Sequence, residues 1–281
     1  FGPTGNPFNV EQTSGGSSGG SASAVASKMM PIATAADGGG SIRIPACFVG
    51  AFGMKPTFGT IPMTEGHQFG MLKFIDCVHF GPITRTVEDA AMFLDVVSGY
   101  HPVDPNSLPK PKIGFVQACY NNKLQEKGPL RIRWSSDLGY VEKVSEEVLS
   151  QCNQVLQTIH NTFGHEIIND QTDIDGRFIL SDMGLSWGLA MGQQERLMLQ
   201  NSKAESQKKH LENWFHRGWS SMSDMNIDFL GTVMRQGFEL NKQMSHLFSK
   251  FDILATPCLP LDAFHKSGPM PRVVEGVRLS N

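Results

Sequence analysis

Asp37-Gly38-Gly39-Gly40-Ser41-Ile42-Arg43-Ile44-Pro45 and Gly15-Gly16-Ser17-Ser18-Gly19-Gly20 are the stretches that decide how this chain is read, with Ser17 and Ser41 24 positions apart. Glycine costs backbone entropy, so a cluster of it marks positive φ or a group brought close to the main chain. Twelve of the 29 glycines fall in the first 60 residues. Structured signals interrupt them, so this part is not a linker. Ala22, Ala24, Val25 and Ala26 predict a small-residue helix, and Met30 to Ala36 a short buried strand. Successive N–H groups in a Gly-rich turn can converge on an anion, as an oxyanion hole for acyl transfer requires. A serine beside such a nest becomes a nucleophile once a base takes its proton. Taken singly, such stretches are most often turns. A phosphate would suit the same nest, but neither GxxxxGK[ST] nor GxGxxG occurs at either loop. Gly15 to Gly19 also fits the GxSxG elbow. That elbow follows a buried strand, whereas Asn9 to Ser14 is mostly polar.

Working outward, residues 86–99 predict a helix. Thr86 is placed to cap it, Glu88 and Asp89 lie in its first turn, and Val87, Ala90, Ala91, Leu94 and Val97 keep helical spacing, with Gly99 at its end. After a Pro/Asp-rich connector, Lys112 to Val116 reads as a strand. A helix is expected over 143–162, stopped by Gly164, then a strand at His165 to Ile168. Residues 180–250 read as mostly helical with a break near 218–223, followed by a last strand at Phe251 to Ala255. Strands alternating with helices indicate an α/β architecture. No repeat of fixed period is present.

The 281 residues are 40% hydrophobic with a net charge of −3, enough to bury a core and too balanced for nucleic acid as the main ligand. No apolar stretch approaches the ~18 residues of a membrane span. Cys47, Cys77, Cys119, Cys152 and Cys258 form no CxxC pair, which argues against a disulfide framework or zinc site and for a reducing, cytoplasmic setting. Nine histidines form no HxH or HxxxH pair, so no metal is expected, nor any cofactor. The chain opens on Phe1 without Met and closes on Leu279-Ser280-Asn281; both ends read as cuts inside a domain.

The motifs combine into something more specific. Thr4-Gly5-Asn6-Pro7-Phe8-Asn9 precedes the first loop, and Gly53-Met54-Lys55-Pro56-Thr57-Phe58-Gly59 and Gly81-Pro82-Ile83-Thr84-Arg85-Thr86-Val87-Glu88-Asp89 follow the second. The set resembles the amidase signature family, strongly over residues 1–109 and weakly again at Asp252 to Pro257. Residues 37–45 are most similar to the aminohexanoate cyclic-dimer hydrolase branch; the tRNA-dependent amidotransferase subunit usually has Gln where Ile44 stands. The resemblance implies a mixed β-sheet surrounded by α-helices, incomplete here: one amidase domain fragment over 1–281, with a signature core at 1–109 and a variable helical part at 110–281. It implies hydrolysis of a non-peptide carboxylic amide by a Ser–Ser–Lys triad. Ser41 matches the nucleophile, and Ser17 the bridging serine, held by a strained cis peptide. The N–H groups of Gly38, Gly39, Gly40 and Ser41 match the oxyanion hole. The expected partner is a small-molecule amide, without nucleic acid; a homodimer stays open.

One departure matters. The family's base lysine lies well upstream of the bridging serine, and only 16 residues precede Ser17. Lys28 reads as solvated and Lys55 as structural, so neither replaces it. Asp37 and Arg43 are expected to brace the nucleophile loop. A Ser-His-Asp arrangement would need a histidine near Ser17 or Ser18; His79 lies close to Asp76 in sequence, and a triad would need the two to meet in space as well. Met222, Met225, Met234, Met244, Trp187, Trp214 and Trp219 read as core or pocket wall. The alternatives are an inactive or truncated homologue lacking the base and an amidotransferase subunit.

Overall fold

The computed structural model describes residues 2–63, 78–121, 128–169, 174 and 227–279. A short hairpin, β1 (Gly5–Asn6) and β2 (Asn9–Thr13), leads into helix α1 (Gly19–Ala26). Strand β3 (Ile32–Asp37) then runs to the glycine-rich turn, and helix α2 (Arg43–Phe48) leaves it. Strands β4 (Phe52–Gly53) and β5 (His79–Thr84) complete an antiparallel sheet in the order β3-β5-β4, with Ala35 opposite Gly81 and Asp37 opposite His79. The small residues of α1 and β3 let backbones approach. Ala22, Val25, Ala33, Ile42, Ala46, Val49 and Ile83 form one buried cluster that joins α1, β3, α2 and β5.

Helix α3 (Val87–Val97) starts as its sequence predicts, with the Thr86 hydroxyl accepting the Asp89 N–H at 3.1 Å. Gly99 beyond it sits at φ 132°, a value that only glycine adopts without strain. The strand expected at Lys112 to Val116 is absent; helix α4 (Phe115–Cys119) begins there instead. The reason is tertiary. The Asp95 carboxylate of α3 accepts the N–H groups of Phe115 at 2.6 Å and Val116 at 3.0 Å, which caps a helix whose apolar run alone reads as a strand.

A parallel sheet follows, ordered β7-β6-β8, from β6 (Arg131–Trp134), β7 (Glu166–Asn169) and β8 (Ile253–Ala255). Helix α5 (Glu146–Phe163) makes the β6–β7 crossover. Ser145 caps its start, and Gly164, left-handed at φ 68°, ends it. Helix α6 (Ile227–Phe248) precedes β8, and Leu247, Phe251 and Ile174 form the core cluster there. A last hairpin pairs β9 (Val273–Val274) with β10 (Val277–Arg278). Between β8 and β9 the chain returns to β2: Thr13 N–H donates to Phe264 O at 2.7 Å and Lys266 N–H to Glu11 O at 2.9 Å. Strands of both orientations with helices on their faces agree with the expected fold class. The expectations for 180–226, including the three tryptophans, Met222 and Met225, lie outside the described residues, as does Asp76.

Candidate active site

Strand β3 delivers Asp37 to the mouth of the turn, 1% exposed. A buried carboxylate must be fully hydrogen-bonded, and this one is. Oδ1 accepts the Gly40 N–H at 2.8 Å and Arg43 Nη2 at 2.8 Å. Oδ2 accepts Arg43 Nε at 2.9 Å, the Ile42 N–H at 3.2 Å and the Arg43 N–H at 3.4 Å. Burial alone raises the Asp37 pKa. The Arg43 hydrogen bond and charge, with the Gly40 and Ile42 N–H groups, outweigh it and bring the value to about 2. The carboxylate is therefore a fixed anion that folds residues 38–43 around itself, with no proton to lend at neutral pH.

That geometry corrects one expectation. The Gly40 N–H is committed to Asp37, so Gly40 is not a free oxyanion donor. Its glycine identity has another cause: φ is 110°, and a Cβ would stand 2.7 Å from Ile44 Cδ1. The N–H groups of Gly38, Gly39 and Ser41 have no hydrogen-bond partner among the described residues, and all three residues are half-buried. Unpartnered N–H donors on one partly open turn are what an anion-binding concavity requires.

The first serine loop lies against α2. Gly15 has φ 77°, and a Cβ there would sit 2.8 Å from Pro45 Cα, so no larger residue fits. The Gly16–Ser17 peptide bond is cis. Ser18 N–H donates to Ser41 O at 3.3 Å and Ser18 Oγ to Ala36 O at 3.4 Å, which holds the two serine loops side by side. Ser17 is exposed and Ser41 half-buried. Strand β2 ahead of the loop belongs to a hairpin and has no buried residue, a poor setting for a nucleophile elbow.

The other candidates sit apart. The His79 ring meets the Phe58 ring edge-on at 5.5 Å and lines a small cavity with Met63 and Asp104; no histidine hydrogen-bonds to Ser17, Ser18 or Ser41 among the described residues. Lys28 follows α1, exposed, at φ 65°. Lys55 donates to Pro56 O at 3.3 Å. Burial first, then the charge of Arg43, lowers its pKa, with Asp37 opposing. Among the described residues no group of three or more His, Cys, Asp or Glu side chains is placed to hold a metal ion, and no helix is long and apolar enough to cross a membrane. Sequence reading missed one juxtaposition: Cys47 of α2 and Cys258 beyond β8 are side-chain neighbours, 211 positions apart. Residue spacing holds no signal for such a contact.

Comparison with known proteins completes the description. The family model described as Amidase matches residues 1–272. An acylamidase of Rhodococcus erythropolis is 42% identical over 156 residues, 56% of this chain and 31% of that protein. A glutamyl-tRNA(Gln) amidotransferase subunit from Halothermothrix orenii is 29% identical over 290 residues, 98% of this chain and 59% of that protein. Among solved structures, a bacterial aryl acylamidase of the amidase signature family superimposes with a TM-score of 0.84 at 24% identity, over 99% of this chain and 56% of that one. A 6-aminohexanoate cyclic dimer hydrolase complexed with substrate gives 0.77 at 22% identity, over 98% and 57%. The chain thus spans less than two thirds of the relatives it matches.

Proposed function

The chain belongs to the amidase family, and from that premise we propose that the complete protein hydrolyses a non-peptide carboxylic amide through an acyl-enzyme on Ser41. The observation that carries this reading is the turn at residues 38–41. Among the described residues its N–H groups at Gly38, Gly39 and Ser41 have no partner, while Asp37 takes those at Gly40, Ile42 and Arg43. Ser41 Oγ attacks the amide carbonyl, and the oxygen that gains charge is held by the three N–H groups. The proton passes through the Ser17 hydroxyl to a neutral lysine, whose pKa burial lowers, and from there to the departing amine. Water then enters by the same relay and releases the acid. The lysine comes from outside these 281 residues; Lys28 and Lys55 serve structure. The acylamidase likeness supports acyl amides as the substrate class.

A fluorophosphonate probe tests the assignment. In the complete protein it should label the peptide that contains Ser41, and Ser41→Ala should abolish labelling and cost at least ~10³ in kcat. Labelling on Ser17 or Ser18 that survives Ser41→Ala would replace this reading with the elbow.

The amidotransferase relative supports a second reading, glutamine hydrolysis within a larger complex. Against it stands Ile44, which makes residues 37–45 resemble the cyclic-dimer hydrolase branch more than the amidotransferase one. Turnover of glutamine in preference to simple aryl amides would favour the second reading. No turnover of either by the complete protein would favour an inactive homologue.

A further inference from the structure

Helix α2 starts two residues beyond Ser41 and carries an exposed cysteine, Cys47, near its end. The segment that follows β8 crosses this helix. The Phe264 ring meets the Phe48 ring edge-on at 6.1 Å, and Cys258 Sγ donates to Arg43 O at 3.5 Å. The crossing sets the Cys258 side chain against the helix turn that carries Cys47, so the two thiols are neighbours, both exposed. Cys152 of α5 and Asp262 lie close enough for their charges to act on Cys47.

The two thiols differ in acidity. The hydrogen bond to Cys258 comes first, and burial second, in pushing the Cys47 thiol well above the usual range. The same hydrogen bond, then the Arg43 charge, brings Cys258 down to about 7 against the pull of burial and Asp37. Cys258 is thus the more acidic of the two thiols, reactive once it gives up the proton that it holds against Arg43 O, and Cys47 is the protonated neighbour placed to resolve a mixed disulfide.

We propose that Cys47 and Cys258 form a reversible dithiol–disulfide site whose oxidant is a small-molecule disulfide of the glutathione type. The Cys258 thiolate attacks one sulfur of the small disulfide, forming a mixed disulfide and expelling one small thiolate. That thiolate takes the Cys47 proton. Cys47 then attacks Cys258 Sγ, closes the intramolecular bond and expels the second small thiolate, which is protonated from solvent. Two protein thiols are oxidised and one small disulfide is reduced to two thiols. Closing the ~2.05 Å S–S bond removes the thiol proton that Cys258 donates to Arg43 O and ties α2 to the segment that follows β8. This chemistry is independent of the identity of the amide.

The test uses the complete protein in oxidised and reduced glutathione mixtures, trapped by alkylation and mapped by mass spectrometry. The expected product is a Cys47–Cys258 linked peptide that dithiothreitol reverses. Cys47→Ser should stop at a glutathione adduct on Cys258, without the link. Cys258→Ser should give no linked peptide and no adduct at position 258, leaving Cys47 as a single thiol without a partner to close the bond. A persistent glutathione adduct on Cys258 in the native protein, with Cys47 still alkylatable, would overturn the proposal. So would linkage of either residue to Cys152.

Discussion

Arg43 grips Asp37 in two parallel hydrogen bonds, Nε to Oδ2 at 2.9 Å and Nη2 to Oδ1 at 2.8 Å, across the turn that holds Ser41. The carboxylate is buried, while the Arg43 side chain is 48% exposed. The pair is therefore less a surface ion pair than an anchor: its anionic end organises backbone N–H groups, and its cationic end keeps that anion ionised. Replacing Asp37 by Asn puts an amide where five donors converge. Asp37→Asn should destabilise the fold by about 2–4 kcal/mol, since donors are left buried without an acceptor, and lower kcat at least tenfold. Urea unfolding with native-like midpoint and normal turnover would show that the turn holds its shape without the carboxylate.

The same pair sets a pH dependence. The folded pKa of Asp37 is about 2 against an ordinary 3.8. A depressed carboxylate pKa contributes stability that is fully present above the unfolded value and is lost as pH falls through the folded one. The window is thus roughly pH 4 down to pH 2, and the contribution is about 2 kcal/mol. Denaturant midpoints measured across this window should fall in the native sequence, and Asp37→Asn should remove this part of the slope.

Gly39 and Gly40 should separate function from fold. Gly40 adopts φ 110° and faces Ile44 Cδ1, so Gly40→Ala should cost about 1–3 kcal/mol of stability, and Ile44→Ala in the same chain should recover the steric part but not the strain. Gly39→Val acts on a free N–H and should instead cost about 10²–10³ in kcat at near-normal stability. Near-normal activity of Gly39→Val would exclude the oxyanion geometry at residues 38–41.

Where signals are local, the sequence makes them visible. The Thr86 cap, the Gly164 stop and the strand expected over Met30 to Ala36 express constraints within a few residues; the cap and the stop fall where expected, and the strand runs Ile32–Asp37. What escaped depends on distant partners. The α4 helix exists because Asp95, on another helix, caps it. The Gly40 N–H is occupied because a side chain three residues back takes it. Cys47 meets Cys258 because the chain returns to β2 after β8. Periodicity and spacing do not encode such meetings.

The last prediction concerns the base. A serine hydroxyl is a poor nucleophile until a neighbouring group accepts its proton, and general-base assistance is typically worth about 10²–10⁴. Neither described lysine near the serine loops is suited to that task. Lys28 is exposed at the end of α1, and Lys55 donates to the carbonyl of the next residue. The isolated 281-residue chain should therefore show no amidase turnover, even where it folds, and the complete protein should show it. Both are to be expressed and assayed on aliphatic and aryl amides. Lys55→Met in the complete protein should leave kcat within a few-fold, and substitution of the upstream lysine at the family position should abolish it. Comparable turnover by the short chain would place the base within these residues, and a collapse of kcat in Lys55→Met with stability intact would identify it as Lys55, whose pKa burial and the Arg43 charge lower from the ordinary lysine value.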